Sequence, residues 1–248
     1  MSINVQSWLN QYMSEIDCLQ NEKSRFILRC SIIDAFAQSA YHNAHHTSTS
    51  FSSFIENYSA IQYSNILKLI CPITLYYNYC DRYNLESLHL NTQYNIIYLA
   101  NNIELSNEAS RILNLIPDEK IRQIAAQKHT YSRLIYQRRN KIVHEFYDVK
   151  SPMNFVENQS EQLPHVILRH SFIDEEYTPE HWVLNIPEQF IVNVFHSAIE
   201  GYLMYCQQNQ RSPFKSEVER SYLLSWTNDL SEVSACPSPF IFPLPMPL

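Results

Sequence analysis

The chain has a single glycine, Gly201, in 248 residues, and this scarcity limits what it can fold into more than any other feature. Phosphate-binding loops and two-residue hairpin turns hold the backbone at positive φ, where glycine sits without steric cost. A P-loop and a G-x-G-x-x-G dinucleotide fold therefore fail, and an all-β sandwich with many tight turns is disfavoured. Helices joined by loops of Asn, Ser and Pro remain.

The apolar spacing points the same way. Residues 3–20 and 24–41 carry apolar side chains at helical intervals, and the second stretch is apolar on nearly every side, which predicts a central helix. The polar stretch 42–50, HNAHHTSTS, predicts a loop, with a helical segment from Phe51. Pro72 and Pro117 stand where helices begin, the second supported by Asp118 and Glu119. A long periodic run, AAQKHTYSRLIYQRRNKIVHEFY, follows, in which Leu134, Ile135, Ile142, Val143 and Phe146 form a predicted buried stripe.

Past Pro152, HVILRHSFI and HWVLNI favour strands and predict a small antiparallel hairpin at about 165–186. Pro187 then opens an amphipathic helix to about 209, in which Gly201 permits close helix contact rather than a turn. A short helix is expected at about 216–229. The proline-rich tail, 233–248, is expected to be extended or disordered. The predicted fold is mainly α: a helical domain over 1–150, an elaboration with the hairpin and further helices over 151–232, and the tail.

With 45% hydrophobic and 17% charged residues, the composition suits a packed globule. Six cysteines lie scattered without CxxC spacing, which fits a reducing cytoplasm. There is no basic, apolar leader and no run approaching ~18 apolar residues, so a soluble, cytoplasmic protein with no membrane partner is expected. His42, His45 and His46 lie in a polar loop without the rigid frame that metal ligands need, so solvent exposure is the expected state. No metal or cofactor is expected.

A net charge of −7 argues against nucleic-acid binding, because Lys and Arg supply most of the affinity for phosphate backbones. The charge is unevenly placed, however. Between Lys120 and Lys150 eight Lys and Arg face two acids, a local +6, and the rest of the chain sums to −13. A basic stripe on an acidic chain is what nucleic-acid recognition needs, and a solvated helix face gives the same pattern.

Within that stripe Arg138-Arg139-Asn140-Lys141-Ile142-Val143-His144 reads R-N-x-x-x-H. Asn140 and His144 are four residues apart, so they share a helix side and the amide can orient the imidazole. Arg139 lies about 140° around the axis from His144, within reach of a common substrate only through its long side chain. The motif resembles the R-x(4 to 6)-H signature of the HEPN superfamily (higher eukaryotes and prokaryotes nucleotide-binding), over about residues 1–150.

The resemblance implies an endoribonuclease. His144 would be the general acid/base and Arg139 the donor to the phosphate and its transition state, with Asn140 orienting the ring. Arg138, Lys141 and Arg133 would hold the RNA backbone. Metal-free cleavage needs a base, an acid and cationic donors, and one histidine does not readily fill both proton-transfer roles. Two copies facing across a symmetric interface would supply both, as in HEPN ribonucleases, so an obligate homodimer is expected, leaving a 2′,3′-cyclic phosphate. A toxin or antiviral defence effector, with an antitoxin or regulatory protein as partner, fits this reading. In one subgroup a tyrosine modified by a nucleotidyltransferase antitoxin lies two residues after the histidine. Phe146 stands there instead, which argues against that particular partner.

Asp34, in the apolar stretch CSIIDAFA, is costly to bury alone. A salt bridge to Arg139 or Arg29 and a direct catalytic role are the two readings of it. Rival chemistries lack support: no G-x-S-x-G elbow and no H-E-x-x-H helix occur, and no local signature marks a nucleophilic cysteine. The alternative function is a non-catalytic HEPN dimer that binds nucleotide, nucleic acid or protein.

Overall fold

The computed structural model describes residues 5–41, 47–85, 87–91, 96–99, 103–145, 153–156, 163–173 and 176–214. The chain forms two units, one of residues 1–14 with 214–248 and one of residues 15–213. The first is described mainly through the opening turns of helix α1 (Val5–Asp17). The second holds the remaining elements and is mainly helical, with one small sheet.

Helix α2 (Glu22–Ala40) starts at Asn21, whose side chain accepts from the Ser24 amide at 3.0 Å, satisfying a donor left open by the first turn. Phe26, Cys30, Ile33, Phe36 and Ala37 are all buried, so α2 is the central helix that its apolar character predicts. It packs on α3 (Thr47–Tyr58), α8 (Tyr131–Glu145) and α9 (Glu188–Gln208). The core between them is aromatic: Phe36 lies 6.4 Å from Phe54, Phe51 6.0 Å from Phe195, and Phe54 5.4 Å from Tyr202, centroid to centroid.

Gly201 sits where α9 crosses the end of α3. A Cβ there would lie 2.1 Å from the Tyr58 carbonyl oxygen, so glycine serves a close helix contact, as expected, and not a turn.

A second core of Leu75, Ile112, Ile116 and Ala125 joins α5 (Pro72–Tyr83), α6 (Ile103–Leu115) and α7 (Glu119–Lys128). Pro72 occupies the first turn of α5. The N-cap of α7 is Asp118, which accepts from the Ile121 amide at 3.0 Å, and Pro117 stands just outside. The short helix α4 (Ile61–Leu67) links α3 to this part of the fold.

The hairpin pairs β3 (His165–Ile173) with β4 (Glu176–Pro187) antiparallel, close to the expected 165–186. It belongs to a larger sheet of order β1-β3-β4-β2. The outer strands β1 (Ile96–Tyr98), antiparallel to β3, and β2 (Met153–Val156), parallel to β4, were not legible as strands. At three and four residues they are too short to show alternation.

The structure corrects three other expectations. The run after Pro117 is two helices: the carbonyl of His129 accepts from the Cys71 amide, and the Tyr131 amide donates to the Leu69 carbonyl, so the chain between α7 and α8 bonds to another segment instead of continuing its helix. His129 is itself buried, its Nδ1 3.0 Å from Thr74 Oγ1. Burial and the nearby Lys128 charge push its pKa down to about 4. Second, α3 begins at Thr47, before Phe51. Third, Leu134 and Ile135 are buried but Ile142 and Val143 are half-buried, so the stripe opens toward the end of α8.

Helix α9 shares the core of α2 and α3, so residues 15–213 are not parted near 150. Phe146, the 216–229 helix, the proline-rich tail and His42, His45 and His46 lie outside the described residues. Among the described residues no helix is long and apolar enough to cross a membrane.

Candidate functional site

Helix α8 carries the motif, and its sides meet different surroundings. Tyr136 and Arg139, three residues apart, share one side, and the Arg139 guanidinium carbon lies 5.9 Å from the centre of the Tyr136 ring, within cation–π range. From α2, Asp34 Oδ2 lies 3.2 Å from Arg139 Nη2. From the next residue of α8, Asn140 Oδ1 accepts from Arg139 Nη1 at 3.0 Å. The fork is thus held from three directions, and the side chain keeps 24% of its surface exposed.

Asp34 realises the salt bridge to Arg139. Arg29, the other candidate, is instead bonded to Asp17 at 2.5 Å and to Glu188. Burial pushes the Asp34 carboxyl up to about 6, against the opposing pull of the Arg139 charge. The partnership therefore offsets part of the desolvation cost and leaves a carboxylate that titrates within reach of neutral pH.

The neighbouring residues fall out differently from the sequence expectation. Arg138 is 5% exposed; it faces the first turns of α2 and α9, beside Glu22, so it is not placed to hold an RNA backbone. Burial lowers its pKa, with the Glu22 charge opposing. Arg133 donates to Thr49 Oγ1 on α3 at 3.0 Å. Lys141 is exposed and available to a phosphate. The backbone of His144 belongs to the last turn of α8, one turn beyond Asn140, and its side chain lies outside the described residues.

Asn140 engages Arg139, a contact that the i, i+4 argument, which gave Asn140 the orienting of the His144 ring, did not anticipate. Tyr136 and Asp34 complete the setting of the arginine. Tyr136 was legible in principle, because residues three apart on a helix are neighbours.

Among the described residues no group of three or more His, Cys, Asp and Glu could hold a metal ion. Comparisons with family models, curated proteins and solved structures find no match.

Proposed function

We propose that the chain is a HEPN-type endoribonuclease that acts as a homodimer, with the exposed side of α8 at the shared face. The observation that carries this is the arginine of the R-N-x-x-x-H motif: its guanidinium is fixed by Asp34 and Asn140 and partly open to solvent, on the helix that also carries His144. A fork fixed before substrate arrives suits charge developing on a phosphorane. In the reaction one His144 takes the proton of the ribose 2′-OH, the 2′-oxygen bonds to phosphorus, and the bond to the 5′-oxygen breaks. The second His144 protonates that 5′-oxygen, and both Arg139 side chains face the phosphorane. A toxin or defence role with a protein regulator belongs to the same proposal.

One observation favours the alternative, a non-catalytic binding module: Arg138 is buried and Arg139 is ion-paired, which takes cations away from a bound backbone. The two readings separate when the protein and its His144→Ala variant are incubated with total RNA in EDTA and the ends are mapped. Cyclic phosphate ends from the parent alone are expected. Intact RNA in both lanes refutes the nuclease and favours the binding module.

A further inference from the structure

The joint between α7 and α8 is fastened from outside, and a titratable ring lies at its centre. His129 follows the last residue of α7 and stands two before Tyr131, which opens α8. Its carbonyl accepts from the Cys71 amide at 2.8 Å, the Tyr131 amide donates to the Leu69 carbonyl at 3.1 Å, and the bridge between Ile70 and Thr130 lies between those bonds. Residues 69–71, which lead into α5, therefore hold both ends of the joint.

The imidazole adds a fastening through the side chain. His129 is 5% exposed, and its Nδ1 lies 3.0 Å from Thr74 Oγ1. The Thr74 hydroxyl donates its own proton to the Cys71 carbonyl at 3.4 Å, so it accepts from the ring, and Nδ1 carries the imidazole proton. The neutral ring is thus the form these bonds use. A second proton would go to Nε2 and place a positive charge in the buried joint. Among the described residues, the groups facing the ring offer that charge no compensation. From α5 come Thr74 and the Tyr79 ring, edge-on with centroids 5.9 Å apart, and behind Tyr79 lies the apolar core of Leu75, Ile112, Ile116 and Ala125. From the end of α7 comes Lys128, which repels a second positive charge. Cys71 and Tyr131, on either side, are buried and neutral, burial pushing both up.

We propose that His129 is an acid-released latch: its neutral ring fastens the start of the motif helix to the segment leading into α5, and protonation opens that joint while the aromatic core of α2, α3 and α9 stays closed. The latch does not rest on the ribonuclease reading. Its sign follows from burial, which with the Lys128 charge pushes the folded pKa from 6.5 down to about 4. The open joint binds the proton more tightly than the closed one, so opening is favoured as pH falls from about 6.5 to about 4. With those two values the opening equilibrium rises about twentyfold between pH 7 and pH 5.

The test is amide hydrogen exchange of the full chain at pH 7 and pH 5, corrected for the intrinsic pH dependence of exchange. It is followed at the Cys71 and Tyr131 amides, with the Phe195 and Ala198 amides of α9 as reference. Protection at Cys71 and Tyr131 should fall about twentyfold at pH 5, and protection in α9 should fall much less. His129→Asn keeps an N–H for Thr74 without a group that titrates, and should abolish the loss. Unchanged protection at Cys71 and Tyr131 overturns the latch, as does a loss that persists in His129→Asn. An equal loss in α9 also overturns it, because His129 would then act on the whole fold and not on the joint. If His129→Asn does not fold, nitrogen NMR of the imidazole decides in its place: a neutral ring protonated at Nδ1 at pH 5 upholds the latch, and a charged ring in the closed protein at that pH overturns it.

Discussion

Replacing Asp34 with Asn should make the fold more stable at neutral pH and the activity lower. Burial raises the Asp34 carboxyl from 3.8 to about 6. A carboxyl whose folded pKa lies above its unfolded value binds its proton more tightly in the folded state, so its contribution to stability falls as pH rises through the window from about 4 to about 6. A shift of about two units is worth about 3 kcal/mol at pH 7. This is the upper bound of what Asp34→Asn recovers, because the amide forfeits the charge pairing with Arg139. A gain of 1–3 kcal/mol corresponds to roughly 2–12 °C in melting temperature for a chain of this size.

Thermal melts of parent and variant at pH 4 and pH 7 isolate the effect, since every other titrating group is common to both. The difference should be near zero at pH 4 and reach its maximum at pH 7. Loss of the carboxylate should also free the Arg139 fork and lower the RNA cleavage rate at pH 7 by about tenfold, each factor of ten being about 1.4 kcal/mol of transition-state stabilisation. A variant less stable than the parent at pH 7, with the same pH slope, would refute the burial argument. Unchanged cleavage at pH 7 would refute the positioning role.

Gly201→Ala should cost about 1–3 kcal/mol or more, because the new methyl meets the Tyr58 carbonyl at 2.1 Å and α9 must move away from α3; a melting temperature equal to the parent's would contradict that contact. Glu188→Ala leaves Arg29, which is 3% exposed, with Asp17 as its remaining ion-pair partner, and should cost about 3–5 kcal/mol in urea unfolding. Burial pushes the Glu188 carboxyl up, but hydrogen bonds and charge from Arg25 and Arg29 outweigh it and hold it below the usual 4.5. The lost stability should therefore be present above that pH and vanish as pH falls through the folded value. An equal deficit at acid and neutral pH would contradict the assignment.

The long elements were legible because burial imposes periodicity on them. The apolar sides of α2 and α9 repeat along 19 and 21 residues, and Pro187 marks where β4 gives way to α9. The break at His129 was hidden because nothing in that run opposes helix locally. The competing bonds come from Leu69 and Cys71, sixty residues earlier, where the isolated bridge between Ile70 and Thr130 also forms. The candidate site divides in the same way. The spacing of Arg139, Asn140 and His144 can be read on one helix, and the need of Asp34 for a cationic partner follows from its apolar neighbours. The burial of Arg138 and the turning of Arg133 toward Thr49 depend on which helices cover α8, and composition treats all eight arginines and lysines of the stripe alike.

That division bears on how a basic stripe should be counted. The local +6 would suggest a broad phosphate-binding surface, yet Arg138 is buried beside Glu22, Arg139 faces Asp34, and Arg133 lies beside Glu56 on α3. Among the motif's own cations, Lys141 is the one that is exposed. Within the motif a single chain therefore offers one exposed cation, and its arginine is set for one phosphate rather than for a length of backbone. Two copies sharing the α8 face would bring two Lys141 side chains and two Arg139 forks to the same phosphate, doubling the cationic donors where a single chain is poorest. On the proposed reading, a dimer would matter for gathering charge as much as for supplying the second histidine. It follows that RNA affinity and cleavage should be lost together when the dimer is diluted apart, and their separation on dilution would argue for a complete site within each chain.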